Sequence, residues 1–163
     1  LFLILQFIQG VFMKKLLAIA LLCIMISNAH AQKEGFGIGI MIGEPTGING
    51  KYWLTQTTAV DGGIAYSFAK EHTAVSLHAD YLYHIDDVFE SRYSIPFYYG
   101  FGFRMRFVDG DKNSFGARGV AGLVFQSDKI PIDLFFEFVP VFNLFPSTSL
   151  GLDLAIGGRY YLN

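Results

Sequence analysis

Between Ile95 and Phe107 the chain alternates strictly. Ile95, Phe97, Tyr99, Phe101, Phe103, Met105 and Phe107 fall on one set of positions, and Pro96, Tyr98, Gly100, Gly102, Arg104 and Arg106 on the other. A period of two sends successive side chains to opposite faces of a β-strand. One face therefore presents seven large apolar groups in a row, while the other carries glycines and two guanidinium groups. A strand exposing that row to water would be an aggregation template. The pattern predicts instead a strand whose greasy face meets hydrocarbon.

Two further segments repeat it. Val75–Ile85 sets Val75, Leu77, Ala79, Tyr81, Tyr83 and Ile85 against Ser76, His78, Asp80, Leu82 and His84, and Leu150–Leu162 sets Leu150, Leu152, Leu154, Ile156, Gly158, Tyr160 and Leu162 against a face with Asp153 and Arg159. Fainter alternation marks Gly35–Gly43, Gly47–Leu54, Thr58–Phe68, Phe115–Gln126 and Ile132–Phe142, with turn-forming residues between the segments. Strands of about 10 residues cross a hydrocarbon layer when tilted. The expected fold is all-β: an eight-stranded antiparallel up-and-down transmembrane β-barrel preceded by a cleavable signal peptide. An even strand number returns both ends of the barrel to one side, and eight strands leave an interior that side chains can fill. Pro140 cannot donate to a ladder, so the seventh strand is expected to end or bulge there. The stretch from Asp86 to Ser94 is the longest connection, on the side where short turns are usual.

Composition agrees with strands in lipid. Only 16% of residues are charged, Gly occurs 18 times, and Phe and Tyr together 26 times. Helices disfavour Gly, whereas closely packed strands with lipid-facing aromatics accommodate it. No basic cluster marks a nucleic-acid interface.

From Met13 the chain reads as an export signal: Lys14 and Lys15, an apolar run from Leu16 to Ile26, and Ala29-His30-Ala31 as a small-x-small cleavage site. Residues 13–31 are therefore expected to be a signal peptide, cut after Ala31, and residues 32–163 the barrel. Residues 1–12 are read as an extension translated from upstream of the true start. The single cysteine, Cys23, lies inside the leader and lacks the small residue that lipoprotein processing wants immediately before it. Without Lys14 and Lys15 the remainder has ten basic against 14 acidic side chains.

The polar faces collect Lys51, Asp61, Asp80, Arg104, Arg106, Arg118, Asp133, Glu137, Asp153 and Arg159, five basic and five acidic. An unpaired buried ion is costly. Equal numbers in a narrow lumen thus predict a salt-bridged, closed interior, the reverse of a soluble barrel with an apolar inside. Tyr66, Phe68, Phe107 and Phe142 towards one rim, with Tyr52, Phe125 and Tyr160 towards the other, are expected to form two aromatic girdles.

Gly35-Phe36-Gly37-Ile38-Gly39 lacks the spacing of a nucleotide loop. His78, Asp80 and His84 share one strand face and are the nearest thing to a metal or acid–base set, but His78 and His84 stand roughly 20 Å apart, too far for one metal ion. Ser76, His78 and Asp80 (with Glu137 as another carboxylate) point the same way from one strand, unlike a hydrolase triad. No catalytic residue, cofactor or metal site is expected.

Several segments taken together carry a resemblance: Gly43-Glu44-Pro45-Thr46-Gly47, Gly50-Lys51-Tyr52-Trp53-Leu54, His78-Ala79-Asp80-Tyr81, Pro96-Phe97-Tyr98-Tyr99-Gly100, Glu137-Phe138-Val139-Pro140-Val141 and Ala155-Ile156-Gly157-Gly158-Arg159-Tyr160-Tyr161. They resemble a family of small outer-membrane β-barrel proteins of Gram-negative bacteria, similar in build to OmpA/OmpX-type barrels. The resemblance implies the barrel and the cell outer membrane, and it implies no catalytic residues. A non-enzymatic structural or surface-interaction protein is expected, its partners being outer-membrane lipid and, during insertion, the barrel-assembly machinery, with no nucleic acid and a monomeric state. The alternatives are a narrow channel or small-solute transporter, and a membrane-embedded lipid-modifying hydrolase.

Overall fold

The computed structural model describes residues 33–67, 74–86, 88, 94–108, 112–127 and 129–162. The expected extension 1–12, the signal peptide 13–31 with Ala29 and Ala31, and Phe68 of one girdle lie outside the described residues. Eight strands follow one another: β1 Phe36–Glu44, β2 Thr46–Trp53, β3 Thr58–Ser67, β4 Ala74–Ile85, β5 Phe97–Val108, β6 Ser114–Gln126, β7 Ile132–Phe145 and β8 Ser149–Leu162. Each pairs antiparallel with the next, and β8 closes on β1, matching Phe36 with Leu162 and Glu44 with Leu154. The result is a closed eight-stranded up-and-down barrel without a free sheet edge. The start of β1 and the finish of β8 lie together at one end, called here the terminal end. The β2–β3, β4–β5 and β6–β7 connections share it, and the other four sit at the far end.

The strands form where the alternation places them, because each can bury one face only if its residues keep a period of two. Along β5, Tyr98, Arg104 and Arg106 are buried, while Tyr99, Phe101, Phe103, Met105 and Phe107 are exposed, Phe101 at 64%. The exterior is apolar on every strand, from Ile38, Ile40 and Ile42 on β1 round to Leu150, Leu152, Leu154 and Ile156 on β8.

At Pro140 the outcome differs from expectation. β7 runs straight through to Phe145, and Pro140 still pairs with Leu152 of β8. On the β6 side the ladder passes from Arg118–Val141 to Ala121–Phe138 in unchanged register. The proline ring finds room on the outer face beside Gly119, where even an added Cβ would stand 3.6 Å from it. The irregularity falls between Phe115 and Gly116 instead.

Glycines set the internal volume. A Cβ on Gly122 would stand 2.4 Å from the Tyr98 ring, and one on Gly102 would stand 2.1 Å from an Asp80 oxygen. Tyr98 and Asp80 are thus each matched to a neighbour with no side chain, as are Tyr161 by Gly37 and Phe135 by Gly157.

Candidate functional site: a charged barrel interior

The interior is built in tiers. Nearest the terminal end lies Lys51 of β2, fully buried, its Nζ 2.7 Å from His84 Nε2. Its ammonium also lies over the Trp53 ring at 4.3 Å and over the Tyr98 ring at 5.3 Å. The Tyr98 hydroxyl in turn donates to Glu137 at 2.7 Å. Lys51 has no carboxylate within ion-pair distance among the described residues, so the aromatic faces take the place of a counter-ion.

Arg159 of β8 governs the next tier. Its Nε reaches Asp133 at 3.1 Å, and its Nη1 reaches Asn49 at 3.0 Å and Asp61 at 3.3 Å. Its guanidinium plane lies 4.1 Å from the centroid of Phe135, and Tyr161 donates to the second Asp133 oxygen at 2.7 Å. This one side chain ties β8 to β2, β3 and β7 across the lumen. Midway along the barrel, Arg118 of β6 meets Asp80 of β4 at 3.1 Å. Towards the far end, Arg104 pairs with Asp153 at 2.6 Å and donates to Asn143 at 3.2 Å. Arg106 donates to Ser67 at 2.8 Å, and Ser67 donates to Glu44.

All ten charged residues singled out above are buried. They are joined by four ion pairs, those of Arg104–Asp153, Arg118–Asp80, Arg159–Asp61 and Arg159–Asp133. The pairing is uneven, however. Arg159 takes two carboxylates, while Glu137 is met by a phenol and Lys51 by an imidazole and two ring faces.

No family model matches this sequence, and no curated protein does. The shape, by contrast, has counterparts. The N-terminal β-barrel domain of Pseudomonas aeruginosa OprF is similar over 78% of this chain and 96% of that domain, with a TM-score of 0.56 at 11% identity. Neisserial surface protein A is similar over 78% of this chain and 93% of its own, with a TM-score of 0.50 at 15% identity. At such identities the likeness is one of fold.

The interior also holds groups that alternation alone did not single out. Leu82, Val120, Val124, Phe135, Val139 and Val141 fill the lumen beside the ions, and Trp53, Ala59 and Tyr161 form a second apolar cluster. Asn49, Ser67 and Gln126 are buried among them. All fall on the polar-face parity of their strands, so the signal was present, but the first nine are masked by apolar character and the three polar ones carry no charge. Ser76 and His78 are both buried, and no hydrogen bond joins them among the described residues. His84 belongs to the Lys51 tier and His78 to the Asp80 tier.

On the outer face the aromatics are not confined to the rims. Tyr52, Tyr66, Phe107 and Phe142 are exposed near the ends, but Phe101, Phe103, Phe136 and Phe138 are exposed in between. Tyr83 and Tyr99 stack at 5.6 Å between centroids on the terminal half.

Proposed function

We propose that this chain is an outer-membrane β-barrel with a closed, salt-bridged lumen and a non-enzymatic structural or surface-interaction role. One observation carries the proposal: an unbroken apolar exterior encloses ten buried Lys, Arg, Asp and Glu side chains. Water on that exterior would leave more than thirty large apolar side chains exposed, far beyond the scattered residues a soluble protein tolerates. Hydrocarbon removes that cost, and a closed barrel leaves no backbone group unpaired in it. The likeness in fold to solved barrels, a Neisserial surface protein among them, supports the same placement.

The filled interior favours a plug over a pore. Arg159, Tyr98, Tyr161, Lys51 and Phe135 occupy the terminal half, and Arg118, Arg104 and Arg106 follow towards the far end. A structural or surface role leaves the far-end connections to meet partners outside the cell. They are short, so the partner surface they offer is small.

The test is to fractionate membranes from cells expressing the full chain and run the outer-membrane fraction on gels with and without boiling. A band in that fraction that shifts on boiling is the expected outcome. Recovery from the aqueous fraction without detergent would refute the proposal. Planar-bilayer recording on the same preparation should give no steady conductance, and a stable single-channel current would favour the channel reading.

A further inference from the structure

Two carboxylates face each other inside this barrel. Asp61 of β3 and Asp80 of β4 are direct cross-strand partners, and both point inward. Like charges placed opposite one another on adjacent strands repel, and more so where water is excluded. His78 stands two residues before Asp80 on the same face. One ligand atom from each of Asp61, His78 and Asp80 lies within 4.8 Å of the other two. All three side chains are more than nine-tenths buried.

Their hydrogen bonding is incomplete. His78 Nδ1, Asp61 Oδ1 and Asp80 Oδ1 are buried without a hydrogen-bond partner among the described residues. Groups of this kind normally find one. Arg159 engages Asp61 through Oδ2 and leaves Oδ1 free, while the Arg118 Nε lies 3.1 Å from Asp80 Oδ1 without a hydrogen-bonding alignment.

Ion pairing covers the two carboxylates thinly. Arg104 is committed to Asp153, Arg106 turns towards Ser67, and Lys51 turns to His84 and its two rings. Within ion-pair distance among the described residues, Asp61 meets only Arg159, which it shares with Asp133, and Asp80 meets only Arg118.

We infer that Asp61, His78 and Asp80 form a three-ligand site for a divalent transition metal inside the barrel. One imidazole and two carboxylates suit Zn²⁺, which takes nitrogen and oxygen donors and fills a fourth position with water. Arg159 would act from outside the site, orienting the Asp61 carboxylate through Oδ2. A scan along β4 alone reaches His78, Asp80 and His84, of which His84 is too distant to join the other two, which is why no metal was expected from the sequence. The third ligand comes from the neighbouring strand. The site sits in the lumen and does not depend on what surrounds the barrel.

Full-length protein extracted in detergent can be unfolded in urea and refolded with ZnCl₂ or with a chelator, then freed of excess metal. One zinc per folded barrel is expected by elemental analysis, with a higher urea midpoint for the zinc-loaded form. Refolding with Co²⁺ should give visible absorption bands of a low-coordinate site. His78→Ala and Asp80→Asn are each expected to weaken binding by more than about 100-fold, with heat-dependent gel mobility showing which variants fold. Folded wild-type barrel that retains no zinc and gives no cobalt bands overturns the inference, whatever the variants do. Retention undiminished in folded His78→Ala overturns it as well. Neither failure would alter where the chain fractionates, so the membrane assignment is tested separately.

Discussion

Arg159 is 1% exposed and held by two carboxylates and an amide oxygen from three other strands. Its value is better judged by what its loss would strand than by what its bonds are worth. Replacing a whole buried ion pair with apolar groups is often neutral, but removing one partner leaves the other charge buried and uncompensated. Arg159→Leu would leave Asp133 with only the Tyr161 hydroxyl, and Asp61 facing Asp80. The expected loss is about 3–5 kcal/mol, the usual range for breaking a buried pair, read as a fall in the urea midpoint in detergent micelles. Because these ions are shielded from solvent, added salt should barely change the difference between variant and parent.

The strand is the unit at which side and depth are decided, and β5 isolates both. Phe101 lies near its middle and Phe107 near its far-end rim, both on the outer face. Arginine facing lipid costs about 2–4 kcal/mol at the midplane and about 0–1 near the interface. Phe101→Arg should therefore lower the unfolding midpoint strongly in lipid vesicles, and Phe107→Arg should hardly change it. Equal effects at the two positions would mean that β5 does not cross a hydrocarbon layer. Strands such as β5 were also where the fold was most legible in the sequence. A period of two fixes which face each residue takes, and all eight segments were delimited to within a few residues. It cannot say which residue on one inner face meets which on another. Asn49 and Arg159 are 110 positions apart and reach each other only across the closed lumen. The same limit hid the cage of Trp53, Tyr98 and His84 around Lys51, and the convergence of Asp61 on His78. Pro140 misled for a different reason. Whether its ring fits depends on what lies across the ladder, here Gly119, and register is a property of two strands.

For the whole molecule, an up-and-down barrel with eight strands has two inequivalent ends, and they can be told apart chemically. At the terminal end Lys33 pairs with Asp86, tying the segment before β1 to the connection after β4. Lys129 is exposed at that same end, between β6 and β7, whereas Lys112 is exposed at the far end, between β5 and β6. On the proposed outer-membrane placement, an even strand count keeps both ends of the barrel on the side from which an exported chain inserts, so the terminal end is expected in the periplasm, with Asp86–Ser94 as a long connection on the side where short turns are usual. The only cysteine, Cys23, falls in the expected leader, so a new thiol in the barrel gives a clean signal. Lys112→Cys should react with a membrane-impermeant maleimide on intact cells. Lys129→Cys should react only after the outer membrane is permeabilised. The opposite result would invert the barrel, put the long Asp86–Ser94 connection outside, and make that connection the surface a partner would meet. Equal labelling of both on intact cells would mean that the apolar exterior is not seated in a sealed membrane.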